Sequence, residues 1–261
     1  MDGKPGILGK PGEVPVAMPA AIPADAEGAV LIRRALLAVL SVGWGTMLVA
    51  WLARRQLHFS VTYLPKSLLV FAAAALLMLT GLRAHHPFSR LGAANAVTLV
   101  RAALVALLVA LLGERVKIAP LVGTVLATAV ILLDGCDGWL ARRAGMSSAF
   151  GARFDMEIDA ALVATLAVLA WQFGKVHAWV LLSGAMRYLF AIAALFIALL
   201  RRPLPPSYRA KSIAVIQMLA LLAAIAPWSS LSLATGAAAI GLVCLTLSFL
   251  LDILWLARHA A

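Results

Sequence analysis

Five of the chain's 11 acidic residues fall in one stretch, LLDGCDGWLARRAGMSSAFGARFDMEIDAAL, which carries Asp134, Asp137, Asp155, Glu157 and Asp159. Asp134 and Asp137 are three apart at the end of one apolar run, and Asp155 and Asp159 are four apart at the start of the next. On helices each pair shares a face, so folding the intervening loop back brings the two pairs together. Four carboxylates at close quarters repel one another unless cations neutralise them. Oxygen donors without accompanying His or Cys suit hard divalent cations, Mg2+ or Mn2+, and four such ligands could hold two ions able to clamp a diphosphate. Gly138, Gly151 and the small Ala141 leave room for backbone and ligand to approach closely, and Arg142 offers planar, charge-assisted hydrogen bonds to a phosphate. Glu157, offset by two from its neighbours, faces away from Asp155 and Asp159 and reads as a helix-end charge.

The elements that must hold these groups are membrane helices. Of the 261 residues, 64% are hydrophobic and only 13% charged, against about 25% charged in an ordinary soluble domain. Apolar runs long enough to cross a hydrocarbon core recur along the chain. They cover about 35–53, 67–82, 96–112, 118–133, 154–173, 179–200, 212–226 and 233–256, an expected set of about eight spans. No alternation of a β-barrel kind appears, and an open sheet could not satisfy its backbone in lipid. The expected fold is therefore an all-α integral membrane protein. Residues 1–30, rich in Pro, Gly and Ala, lack the pattern of a secretory signal and are expected to form a disordered tail.

The formal net charge of +11 could indicate nucleic acid, but the Lys and Arg sit in short loops between apolar runs rather than in one basic stripe. Topology and anionic lipid headgroups account for them better, and no nucleic-acid partner is expected. With eight spans, Arg83 and Arg90, then Arg142, Arg143 and Arg153, then Arg201, Arg202, Arg209 and Lys211 share one side, which should be cytoplasmic. The opposite loops hold Arg115, Lys117 and Lys175, while Arg54, Arg55 and Lys66 go against the rule. The active site should then face the cytoplasm, in a bacterial inner membrane. Cys136 and Cys244 are far apart and have no metal or redox spacing.

Asp134, Asp137, Gly138, Ala141, Arg142, Gly151, Asp155 and Asp159 match D-x2-D-G-x2-A-R-x8-G-x3-D-x3-D, and in this the chain resembles the CDP-alcohol phosphatidyltransferases. Upstream, Asn95, Thr98 and Arg101 resemble the N-x2-T-x2-R pattern that opens the family's first core helix. The resemblance implies a six-helix catalytic domain over 95–261, preceded by two additional helices over 31–94. It implies that Asp134, Asp137, Asp155 and Asp159 bind metal, that Asp159 is also the general base, and that Gly138, Ala141, Arg142, Gly151, Asn95 and Thr98 line the CDP site. Arg101, Arg187, Arg209 and Lys211 stand where family members place basic residues near substrate phosphates. Gln217 lies six residues after Lys211, a longer spacing than is often seen in the phosphatidylglycerophosphate branch. The implied partners are CDP-diacylglycerol, a polar alcohol acceptor, membrane lipids and a second copy in a homodimer.

Blander readings stand beside these. The aspartates could form a structural network with Arg142, Arg143 and Arg153. His85, His86 and Arg90 read as solvated interfacial charge, and Trp51, Trp179, Trp228 and Trp255 as interfacial anchors. An aspartate-rich prenyltransferase would place its two acidic motifs on helices far apart in sequence, whereas here one compact segment holds both. A cation transporter would use buried carboxylates without needing the Gly and Arg positions. A CDP-choline or CDP-ethanolamine donor with diacylglycerol as acceptor is the alternative within the family.

Overall fold

A computed structural model describes residues 24–85, 92–144, 149–201 and 207–258, with the side chains of 24–27, 83–85, 136–144, 149 and 198 outside the description. Among the described residues the secondary structure is entirely helical. The α-helices are α1 (Ala24–Gln56), α2 (Tyr63–His85), α3 (Ala93–Ala110), α4 (Ala119–Ala144), α5 (Ala149–Gln172), α6 (Leu181–Phe196), α7 (Tyr208–Ile225) and α8 (Leu231–Arg258). Single 3-10 turns flank α6 at Ala178–Val180 and Ala198–Arg201. Each expected span corresponds to one α-helix. Six of the helices are long and apolar enough to cross a membrane, while α4 is apolar over Ala119–Gly135. The first half of α5 carries Arg153, Asp155, Glu157 and Asp159, and those charges lower its hydropathy. The protein is a multi-pass, all-α membrane protein.

The first helix differs from its expected bounds. It begins at Ala24, so residues 24–30, drawn as part of the tail, are helical; residues 1–23 lie outside the described set. An alanine-rich start favours helix over coil, and the arginine pair Arg33 and Arg34 continues the helix instead of preceding it.

Helix α3 is central. It packs against α1, α2, α4 and α5, and Ala102, Ala103, Ala106 and Ala110 are buried along it, small residues of the kind that let helices approach closely in lipid. The other close pairs are α1 with α2, α5 with α6 and α7, and α7 with α8. Where α5 meets α6, a Cβ on Gly184 would lie 2.6 Å from the Ala164 Cα, so only glycine fits without moving backbone. Replacing Gly184 by Ala should destabilise the protein by about 1–3 kcal/mol. Thermal unfolding in detergent should show this as a fall of several degrees.

The α1–α2 hairpin is fastened to the turn between α3 and α4. Ser60 donates from both its backbone N–H and its hydroxyl to the Glu114 carboxylate, the N–H at 2.9 Å. The Tyr63 hydroxyl donates to the Leu107 carbonyl at 3.1 Å and Lys66 Nζ to the Leu112 carbonyl at 2.7 Å. From α5, the Gln172 amide donates to the carbonyls of Leu111 and Glu114 and accepts from Gly113 N–H. Glu114 is almost fully buried, and these bonds meet the requirement that a buried carboxylate be paired. Replacing Glu114 by Ala removes two hydrogen bonds to a charged acceptor and should cost about 1–3 kcal/mol, read as a lower midpoint of thermal unfolding.

Candidate active site

The opposite end of the bundle gathers the N-termini of α3, α5 and α7 and the C-termini of α4, α6 and α8. The acidic stretch lies here: Asp134 is on the second half of α4, and Asp155 and Asp159 are on the first half of α5. One carboxylate oxygen from each of Asp134, Asp155 and Asp159 lies within 4.8 Å of the others. Helices α4 and α5 both pack against α3, which brings Asp134 alongside Asp155 and Asp159; the four-residue spacing keeps Asp155 and Asp159 on one face of α5. Asp137, Ala141 and Arg142 sit on the backbone of α4, with their side chains outside the described set, and the surroundings of Gly138 are likewise outside it. Gly151 is in the first turn of α5. His86 and Arg90, and the side chain of His85, lie outside the described residues.

Arg101 joins the three carboxylates. Its guanidinium sits 2.9 Å from Asp134 and donates to both Asp155 and Asp159. The Arg101 side chain is 0% exposed, whereas those of the three aspartates are 26% to 34% exposed, so the cation is sealed behind carboxylates that still open onto the interior space. Three carboxylates against one guanidinium leave an excess of negative charge at membrane depth, which calls for further cation. An all-oxygen donor set of this kind fits a hard divalent ion. The resemblance implies a place for Arg101 near a substrate phosphate; its described partners are these three acids. A charged residue inside the otherwise uncharged run 93–110 was itself the signal, since such a group needs an internal partner. Asn95 and Thr98, both buried, precede it along α3, and the Thr98 hydroxyl donates to the Ala94 carbonyl at 3.0 Å.

A cavity of about 590 Å³ opens from the acid cluster between α5, α6, α7 and α8. Besides the three aspartates, its lining includes Ser183 and Arg187 on α6 and Lys211 and Gln217 on α7. Arg187 also pairs with Glu157, so the glutamate that reads as a helix-end charge has a partner on α6. Arg209 is engaged elsewhere: its guanidinium donates to the Ser248 hydroxyl at 2.8 Å and carbonyl at 3.1 Å, and pairs with Asp252. Those three bonds tie α7 to α8, and Lys211, two residues on, faces the cavity in its place. Neither Asp252 nor Ser248 stood out in the sequence, because nothing in their spacing links them to Arg209 across two helices.

Searches against curated proteins and against solved structures gave no significant match. A family model for CDP-alcohol phosphatidyltransferase, a family of transferases of substituted phosphate groups, matches residues 91–254. The matched segment begins just ahead of α3 and runs through most of α8, leaving the α1–α2 hairpin outside it. With more than half of its length matched and with Asp134, Asp155 and Asp159 brought together around one cavity, the chain belongs to the CDP-alcohol phosphatidyltransferase family.

Proposed function

We propose that the protein is a divalent-metal-dependent enzyme of phospholipid synthesis that transfers the phosphatidyl group of CDP-diacylglycerol to a hydroxyl of a polar acceptor, releasing CMP. The observation that carries this reading is the meeting of Asp134, Asp155 and Asp159 at the mouth of a cavity that also presents Arg187 and Lys211. Asp134, Asp137, Asp155 and Asp159 would hold Mg2+ or Mn2+, two ions in the full complement, whose chemistry is to neutralise the diphosphate and the charge that develops on it. Gly138, Ala141, Arg142 and Gly151, with Asn95 and Thr98 on α3, form the CDP side of the site. Close approach at the glycines and the forked donors of Arg142 suit a nucleotide phosphate.

Asp159 receives the proton of the acceptor hydroxyl. The oxygen so freed bonds to the phosphorus that carries the diacylglycerol, the bond from that phosphorus to the CMP oxygen breaks, and CMP departs with the electron pair. No covalent enzyme intermediate is required. Arg101 holds Asp155 and Asp159 in place from behind, while Arg187 and Lys211 attract an anionic group on the acceptor. The Lys and Arg of the loops support a cytoplasmic orientation for this end of the bundle, where nucleotide-activated lipid and soluble acceptors meet; the membrane would be a bacterial inner membrane and the enzyme would act as a homodimer.

Incubating purified protein with Mn2+ or Mg2+, a donor and a panel of alcohols tests the proposal. CDP-diacylglycerol should yield CMP and one new phospholipid. Product formed only from CDP-choline or CDP-ethanolamine with diacylglycerol would reverse the donor assignment.

A further inference from the structure

We infer that the inner end of the cavity is a hydroxyl-binding subsite, formed by Ser183 and Gln217, that selects a polyhydroxylated acceptor over an amino-alcohol. The inference rests on the phosphatidyl-transfer reading and assigns the acceptor class within it. Gln217 is 1% exposed and Ser183 3%, and both line the cavity. Neither amide atom of Gln217 and not the hydroxyl of Ser183 has a hydrogen-bond partner among the described residues. Unsatisfied polar groups are costly at this depth, and two such side chains, on different helices that line one cavity, indicate a ligand that completes them.

Helix direction places both groups inward of the cations. Helix α6 runs toward the acidic end of the bundle, so Ser183, four residues before Arg187, lies about 6 Å further in. Helix α7 runs away from that end, so Gln217, six residues after Lys211, lies about 9 Å further in. The cavity therefore has two cations nearer its acidic mouth and two neutral polar side chains at its inner end. The amide oxygen of Gln217 rests over Gly241 of α8, where an added Cβ would stand 2.5 Å from it, so the glycine makes space for the amide.

The donor set decides the ligand class. An amide offers both N–H donors and a carbonyl acceptor, and a serine hydroxyl does both, which complements hydroxyl groups that are themselves donor and acceptor. An ammonium or trimethylammonium group has no use for N–H donors, and Arg187 and Lys211 repel it. A polyol bearing a phosphate satisfies all four residues, with the phosphate at Arg187 and Lys211 and the hydroxyls at Ser183 and Gln217. A neutral polyol satisfies the inner pair alone.

The test uses the full chain in detergent with Mn2+ and CDP-diacylglycerol, with glycerol 3-phosphate, inositol 1-phosphate, free inositol, serine and choline as acceptors. Acceptor binding is followed separately by calorimetry. A polyol acceptor should be used and should bind, with or without phosphate according to the source of its hydroxyls. Gln217→Leu and Ser183→Ala should each raise its KM and Kd about tenfold, the effect of losing a hydrogen bond or two, with the KM for CDP-diacylglycerol unchanged. CMP release with serine or choline alone, or polyol KM and Kd values unaltered in both variants, would overturn the subsite and leave phosphatidyl transfer standing. Absence of CMP release and of polyol binding in the unaltered protein would overturn both readings.

Discussion

Replacing Asp159 by Asn should lower kcat by about 10²- to 10⁴-fold, the range for removal of a positioned general base, while binding of CDP-diacylglycerol changes little. The side chain keeps its size and its ability to accept from Arg101, so the cluster retains its shape. What it loses is the capacity to take up a proton, together with the negative charge that would help hold a cation, so donor binding is measured at saturating Mg2+ or Mn2+. Asp159 is the group suited to this task because its carboxylate is tethered by Arg101, partly exposed toward the cavity and next to Asp155. The split between kcat and donor binding is the informative readout, because a variant that merely failed to fold would lose both. Turnover in Asp159→Asn equal to that of the unaltered enzyme would remove the general-base role from this residue.

The second large effect belongs to Arg101. Its guanidinium is fully buried and serves Asp134, Asp155 and Asp159 at once, so Arg101→Leu leaves three carboxylates facing one another without their shared cation. Breaking a buried ion network from one side costs about 3–5 kcal/mol, and the fall in unfolding temperature should be greatest in the presence of a chelator. Added Mg2+ or Mn2+ should recover part of the loss, since a ligand that binds only the folded state stabilises it by mass action. Arg101→Lys keeps the charge, but a single ammonium cannot reproduce a planar fork that reaches several carboxylates, and its stability should fall between the two. Equal unfolding temperatures for Arg101→Leu and the unaltered protein under chelation would contradict this account of the cluster.

Helix positions were largely legible in the sequence, because hydropathy alone decides which stretches can enter lipid and the loops between them are short. The added length of α1 at its start was not, since residues 24–30 are too polar for a hydropathy window and their helix is continuous with the apolar run behind it. The meeting of Asp134 with Asp155 and Asp159 was legible because they lie on consecutive helices at similar distances along the chain from the segment that joins them. Partners that cross between distant helices were not. Arg101 with the aspartates, Arg187 with Glu157, and Arg209 with Asp252 and Ser248 depend on how α3, α6 and α8 rotate about their axes. Packing of small residues sets that rotation, and charge spacing along one helix does not encode it. Gln217 illustrates the same point: its distance from Lys211 was visible, but not that it lines the cavity against Gly241.

The α1–α2 hairpin bears on the site from a distance. Its polar contacts fall at the far end of α3, around Leu107, Leu112 and Glu114, while Arg101 lies on the same helix nearer the acids. Packing along α3 therefore gives the helix that carries the buried cation a fixed seat, and among the described residues the hairpin supports the geometry of the cluster without contributing a carboxylate to it.

The most direct test of the central claim is CMP release from CDP-diacylglycerol by the purified full-length protein, measured with its acceptor as a function of added divalent cation. The account predicts release that is coupled one-to-one to phospholipid formation, vanishes with a chelator and returns on addition of Mg2+ or Mn2+. Undiminished release under chelation, or no release from any CDP-alcohol donor at any metal concentration, would contradict it.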